Sequence, residues 1–120
     1  MHYYYYYVGL MTEVMLGEFE QIVILAVRRL GENAYGVSIG DEIEQKTGRI
    51  TSPGALYTTL TRLEEKGLLK SRLGAPTADR GGRAKRLVKV TPAGLEAVTA
   101  AQRTFKVLLH GFPLPDLSHG

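Results

Sequence analysis

From Gly17 to Leu30 the apolar side chains Phe19, Ile22, Val23, Ala26, Val27 and Leu30 recur at offsets of three and four, which predicts an amphipathic helix. Gly31 should end it in the left-handed conformation that closes helices, with a turn through Glu32-Asn33 beyond. A shorter second helix is expected between Tyr35 and Gly48, where Ile39 and Ile43 stand one turn apart while Asp41, Glu42 and Glu44 turn elsewhere. Ser52-Pro53 then signals a third start: serine caps free amides and proline has the torsion required of a first helical residue. Leu56, Leu60 and Leu63 form its core stripe, and Lys66-Gly67 closes it with a cation near the negative end of the dipole. The opposite arc carries Gly54, Ala55, Thr58, Thr61 and Arg62, which are small or hydrogen-bonding groups rather than a solvating charged surface.

After Gly67 the pattern changes. Leu68–Leu73 and Arg86–Val90 are short β-prone segments around a glycine- and proline-containing stretch, and they predict a hairpin with a long tip. Thr91-Pro92 repeats the cap-plus-proline start, and Leu95, Val98, Gln102, Phe105 and Leu109 make one seam on a fourth helix, which Gly111 and Pro113 should stop. The expected organisation is a leader over 1–16, a domain over 17–90, a terminal helix over 91–110 and an irregular tail over 111–120. The leader holds five of the seven tyrosines and has no periodicity; it reads as a disordered or artificial extension, with Met11 as a candidate natural start.

Composition narrows the classes. The 120 residues suit one domain, with 44% hydrophobic and 22% charged side chains in the globular range. The aliphatic run Ile22–Val27 falls far short of the roughly 20 residues of a membrane span. With no cysteine there is no disulfide, thiolate nucleophile or sulfur-ligated zinc site, and a cytoplasmic location is expected. The net charge of +3 hides an asymmetry: residues 1–65 sum to −4, and the positive excess lies mostly between Lys66 and Lys89. Such a cluster points first to a polyanion, because neutralised phosphates release counterions.

Three helices, a basic hairpin and a terminal helix are the order of an α+β winged helix-turn-helix, in which the third helix enters the major groove and the hairpin is the wing. On that reading Gly54 and Ala55 let the backbone approach a duplex, Thr58 and Thr61 offer hydrogen bonds, and Arg62 reaches a phosphate or a guanine edge. Ser52 and its neighbouring amides suit a phosphate. Arg80, Arg83, Lys85 and Arg86 on the wing repel one another without an anion, so binding explains them where folding does not. Replacing Arg83 and Arg86 by alanine should then weaken all DNA binding and flatten its salt dependence.

The chain resembles the PadR-like transcriptional regulators. The resemblance rests on Tyr35-Gly36, Ser52-Pro-Gly-Ala-Leu-Tyr57, Arg62-Leu-Glu-Glu-Lys-Gly-Leu-Leu69, and Gly81-Gly-Arg-Ala-Lys-Arg86 leading into Thr91-Pro-Ala-Gly94, and spans about residues 17–105. It implies a repressor that binds a roughly palindromic operator in double-stranded DNA as a homodimer, with a terminal dimerisation helix and, in some relatives, a pocket for an aromatic small-molecule effector. It also suggests a phosphate contact for the Tyr57 hydroxyl, although Tyr57 beside Leu56 and Leu60 equally reads as core with a wet tip. Leu87-Val88 departs from the family pattern, which commonly has two tyrosines there.

The terminal seam of Leu95, Val98, Gln102, Phe105 and Leu109 is expected at the dimer interface, with Gln102 influencing register; the alternative is packing on its own domain. A protein-docking module that never touches nucleic acid is the other binding reading, although it should expose apolar anchors on the third helix. Catalysis finds no support: Asp41-Glu42 and Glu64-Glu65 read as a salt-bridged or solvated surface, and Gly81-Gly82 lacks the lysine and helix of a phosphate loop. His2, His110 and His119 lack metal-ligand spacing, so neither metal nor cofactor is implied.

Overall fold

Helix α1 spans Glu18–Leu30, and the computed structural model describes residues 15–75, 84–112 and 114–115. The tyrosine-rich leader with Met11, the hairpin tip with Arg80, Gly81, Gly82 and Arg83, and His119 lie outside the described residues. At the start of α1 the Gly17 amide donates to Glu20 Oε1 at 2.9 Å, satisfying a donor that the helix leaves open. Val23, Ile24, Ala26 and Val27 are buried, so the core arc includes Ile24 beyond the positions picked out by periodicity. Leu16, expected in the leader, packs against this core.

Gly31 ends α1 with φ 59° but ψ −121°, so its φ is positive as expected while the conformation is not the left-handed helical one. A 3₁₀ turn over Gly31–Asn33 follows. Helix α2, Gly36–Thr47, buries Ile39 and Ile43. The Ser38 hydroxyl accepts from the Tyr35 amide at 3.0 Å and donates to the Asn33 carbonyl at 2.6 Å, fastening the turn to the helix. Helix α3, Pro53–Glu65, starts where Ser52 Oγ accepts from the Ala55 amide at 3.2 Å. Its Leu56, Leu60 and Leu63 enter the core as the stripe predicts, and Thr59 joins them.

Strands β1 (Leu69–Leu73) and β2 (Arg86–Val90) form an antiparallel pair with Leu69 opposite Val90 and Leu73 opposite Arg86. The Val88 amide donates to the Ala34 carbonyl at 2.8 Å, which ties the hairpin to the segment before α2. Leu69 and Val88 turn inward, whereas Lys70, Arg72 and Lys89 stay exposed, the period-two alternation of a half-buried sheet.

Helix α4, Pro92–Leu109, begins with Thr91 Oγ1 accepting from the Gly94 amide at 3.1 Å and donating to the Gly67 carbonyl at 2.7 Å. The Thr91 amide also donates to Leu68 O at 3.1 Å. Gly94 is required by close approach: a Cβ there would collide with the Leu68 carbonyl oxygen and sit 2.9 Å from Val90 Cγ1. Gly94, Ala97 and Val98 are buried, while Leu95, Phe105, Val107, Leu108, Leu109, Phe112 and Leu114 remain exposed. Among the described residues no helix is long and apolar enough to cross a membrane.

Candidate nucleic-acid interface

The exposed arc of α3 carries Gly54, Ala55, Thr58 and Arg62 in solvent, with Glu65 closing it at the C-terminal end. No acidic residue lies in its first turn, so the positive end of the helix dipole faces outward unopposed. Arg62 is exposed and forms no direct ion pair among the described residues. Ser52 is exposed with its hydroxyl already accepting from Ala55, which leaves its O–H as a donor.

Of two further members expected on this face, Thr61 is placed differently and Tyr57 is exposed. Thr61 is half-buried, and its hydroxyl oxygen is buried without a hydrogen-bond partner among the described residues, so it does not present that group to the surface. Tyr57 is 63% exposed, which rules out core packing; its ring receives the Arg86 guanidinium at 5.6 Å.

At the wing root, Lys85 Nζ lies 4.3 Å from the Tyr35 ring centroid. Arg86, expected to face phosphate, is instead half-buried and paired with Glu64 Oε2. Glu64 Oε1 also accepts from the Ser71 hydroxyl at 2.5 Å and the Ser71 amide at 3.2 Å. The Ser71 hydrogen bonds, followed by Arg86, hold the Glu64 carboxyl below the usual carboxylate range. Of the salt-bridged or solvated surface expected at Glu64 the structure shows the salt bridge, with Ser71 and Arg86 on strands seven and 22 residues away, beyond the reach of helical spacing. Glu20 is also lowered; burial pushes it up, but the Gly17 amide, the Lys66 ammonium at 2.9 Å and the charge of Arg62 outweigh that.

A cleft of about 490 Å³ runs between α2, α3 and β2, with Tyr35, Val37, Leu56 and Tyr57 on its walls and Asp41 and Glu44 at its α2 side. Among the described residues no three His, Asp or Glu side chains cluster as metal ligands.

The expected dimer seam on α4 divides. Val98 belongs to the core of its own domain, and Gln102 Nε2 donates to Gln21 Oε1 on α1 at 2.9 Å, so both are used within the chain. Val98 was misassigned because a heptad seam does not reveal which neighbour covers it. Leu95, Phe105 and Leu109 are exposed on the same helix.

Comparison with known proteins follows the same lines. The model of the transcriptional regulator PadR-like family matches residues 24–100. A transcriptional regulator of Mycobacterium tuberculosis, Rv3488, is 39% identical over 74 residues, which are 62% of this chain and 64% of the relative's length. A PadR-like transcription factor from Bacteroides fragilis superposes with a TM-score of 0.64 at 24% identity, over 86% of this chain and 91% of that one. The Aeropyrum pernix Orc1 protein in complex with DNA has a TM-score of 0.59 at 18% identity, over 80% of this chain and 27% of its own. At these identities the two structures speak for the fold alone.

Proposed function

We propose, from the premise that this chain belongs to the PadR-like family of transcriptional regulators, that it represses transcription by occupying an operator as a homodimer. It is a DNA-binding regulator and not an enzyme. The observation that carries the proposal is the outward face of α3, where Gly54, Ala55, Thr58 and Arg62 are exposed and Arg62 forms no direct ion pair among the described residues, while Lys85 of the wing root lines one cleft with Pro53 and Tyr57 of the same helix. Such a face is short enough for close approach and carries donors suited to base edges and phosphates. Ser52 and Tyr57 add hydroxyl groups at its near end, and Arg80 and Arg83 are assigned to the wing by sequence position.

The exposed apolar side chains of α4 support self-association. Leu95, Phe105 and Leu109, with Leu108 beside them, are the proposed contact between subunits. A two-fold axis then requires a roughly palindromic site with half-site centres about 34–36 Å apart. Release by an aromatic effector and a cytoplasmic location belong to the same proposal, and Phe105 offers an exposed ring for the former. The alternative of a protein-docking module fits less well, because apart from Tyr57 the α3 face presents small and polar groups instead of apolar anchors.

The test is a titration of the full chain against duplex from upstream of its own gene, with salt varied and unrelated duplex as competitor, beside a mass measurement of the free protein. Saturable, competitor-resistant binding by a dimer is expected, and Arg62→Ala should lower affinity about tenfold or more. No binding even at low salt overturns the reading.

A further inference from the structure

Glu64 joins three elements through one carboxylate. Its Oε1 holds β1 through the amide and hydroxyl of Ser71, its Oε2 holds β2 through Arg86, and its own backbone lies in the last turn of α3. Tyr57, Thr61 and Glu64 share one helical face at spacings of four and three. Arg86 reaches two of them, pairing with Glu64 while its guanidinium lies over the Tyr57 ring. Thr61, between the two in sequence, has a buried hydroxyl oxygen with no hydrogen-bond partner among the described residues. Each carboxylate oxygen serves a different strand, so a rotamer change or a neutral side chain cannot keep both connections.

We propose that Glu64 is a positioning residue that sets the angle between α3 and the hairpin, and that Arg86 is engaged in this latch and not by a DNA phosphate. The proposal rests on the DNA-binding reading above and refines it. Arg86 then raises affinity by holding the wing in register with α3, while counterion release comes from Arg62 and from the cations nearer the hairpin tip. The two roles leave different signatures. Loss of a phosphate contact lowers the salt slope of binding by about 0.9, whereas loss of wing placement lowers affinity without changing the slope.

The experiment measures duplex binding by the full chain across about 50–300 mM salt for the wild type, Arg86→Ala, Arg86→Lys, Glu64→Gln, Glu64→Arg, Arg86→Glu and the double exchange Glu64→Arg/Arg86→Glu. Amide hydrogen exchange in the hairpin, read without DNA, accompanies it. Arg86→Ala should weaken binding about tenfold, the loss typical of a charge-assisted hydrogen bond, at an unchanged slope. Either charge reversal alone should bind worse and loosen the pairing of β1 with β2, and the double exchange, which keeps an ion pair between α3 and β2, should recover both in part; the Ser71 amide itself loses its acceptor in every variant that carries Glu64→Arg. Should the reversals fail to fold, Glu64→Gln and Arg86→Lys carry the same comparison, with Arg86→Lys keeping more affinity than Arg86→Ala.

A double exchange that binds no better than Arg86→Glu, or a slope reduced by about 0.9 in Arg86→Ala, overturns the latch while leaving DNA binding intact. If the wild type binds no duplex, the DNA reading falls and hydrogen exchange alone decides the latch. Protection of the amides that pair β1 with β2, lost in Arg86→Glu and regained in the double exchange, sustains it; protection indifferent to both overturns it.

Discussion

Helices α3 and α4 start alike and end differently. Each begins with a hydroxyl residue followed by proline, and each hydroxyl accepts an amide three residues on, at 3.2 Å from Ser52 and 3.1 Å from Thr91. Thereafter α3 sends Leu56, Leu60 and Leu63 into the core over most of its length and shows water a face of small polar groups. In α4 the buried residues Gly94, Ala97 and Val98 lie in the first two turns, and the later turns expose Phe105 and Leu108, the latter 73% accessible. A start signal specifies where a helix begins but not what will cover it. The polar face of α3 is at ease in water, whereas exposed apolar surface on α4 costs about 25 cal/mol per Å² until something shields it.

The sharpest way to break this contrast is to truncate one apolar side chain on each helix. Leu63→Ala should cost about 2–5 kcal/mol in chemical denaturation, whatever the protein concentration, because Leu63 is fully enclosed by its own chain. Phe105→Ala with Leu109→Ala should instead leave the dilute melting temperature nearly unchanged and abolish its rise with concentration. A large loss of stability in the dilute monomer would show that the later turns of α4 are covered from within.

The caps sharpen the contrast at smaller scale. Ser52→Ala and Thr91→Ala should each cost about 1 kcal/mol, with Thr91→Ala the more damaging, since its hydroxyl also holds the Gly67 carbonyl. Only Ser52→Ala should weaken DNA binding beyond its effect on stability. The smallest effect concerns acid. Glu20 and Glu64 both titrate below 4.5 in the folded chain, so their stabilisation is complete above the unfolded value and drains away as pH falls through the folded ones. Glu20→Gln should therefore flatten the loss of melting temperature below about pH 4.5 and lower stability at neutral pH.

The elements were legible because their signals are local: leucine spacing, serine-proline and threonine-proline starts, and closing glycines sit within a few residues of what they specify. The small face of α3 was legible for the same reason. Pairing across the chain was not. Glu64 with Ser71 and Arg86, and Gln102 with Gln21, join residues that only the folded chain makes neighbours. Charge counting could not see the Glu64 partner of Arg86, and heptad counting assigned Val98 to a partner subunit, since neither method sees which surface arrives first. For Tyr57 only the alternative of core packing falls, because proximity to Leu56 and Leu60 in sequence says little about which side of the helix a ring leaves.

Thr91 grips the carbonyl of Gly67, and Gly94 lies against Leu68, so α4 is bolted to the chain just where α3 gives way to the hairpin. The arrangement works as the joint of a calliper, with α3 as one tip and the far end of α4 as the handle. In any assembly held by the handles, this joint sets the distance between the tips. A bulkier residue at Gly94 would change the gauge without touching either α3 or the surfaces that meet.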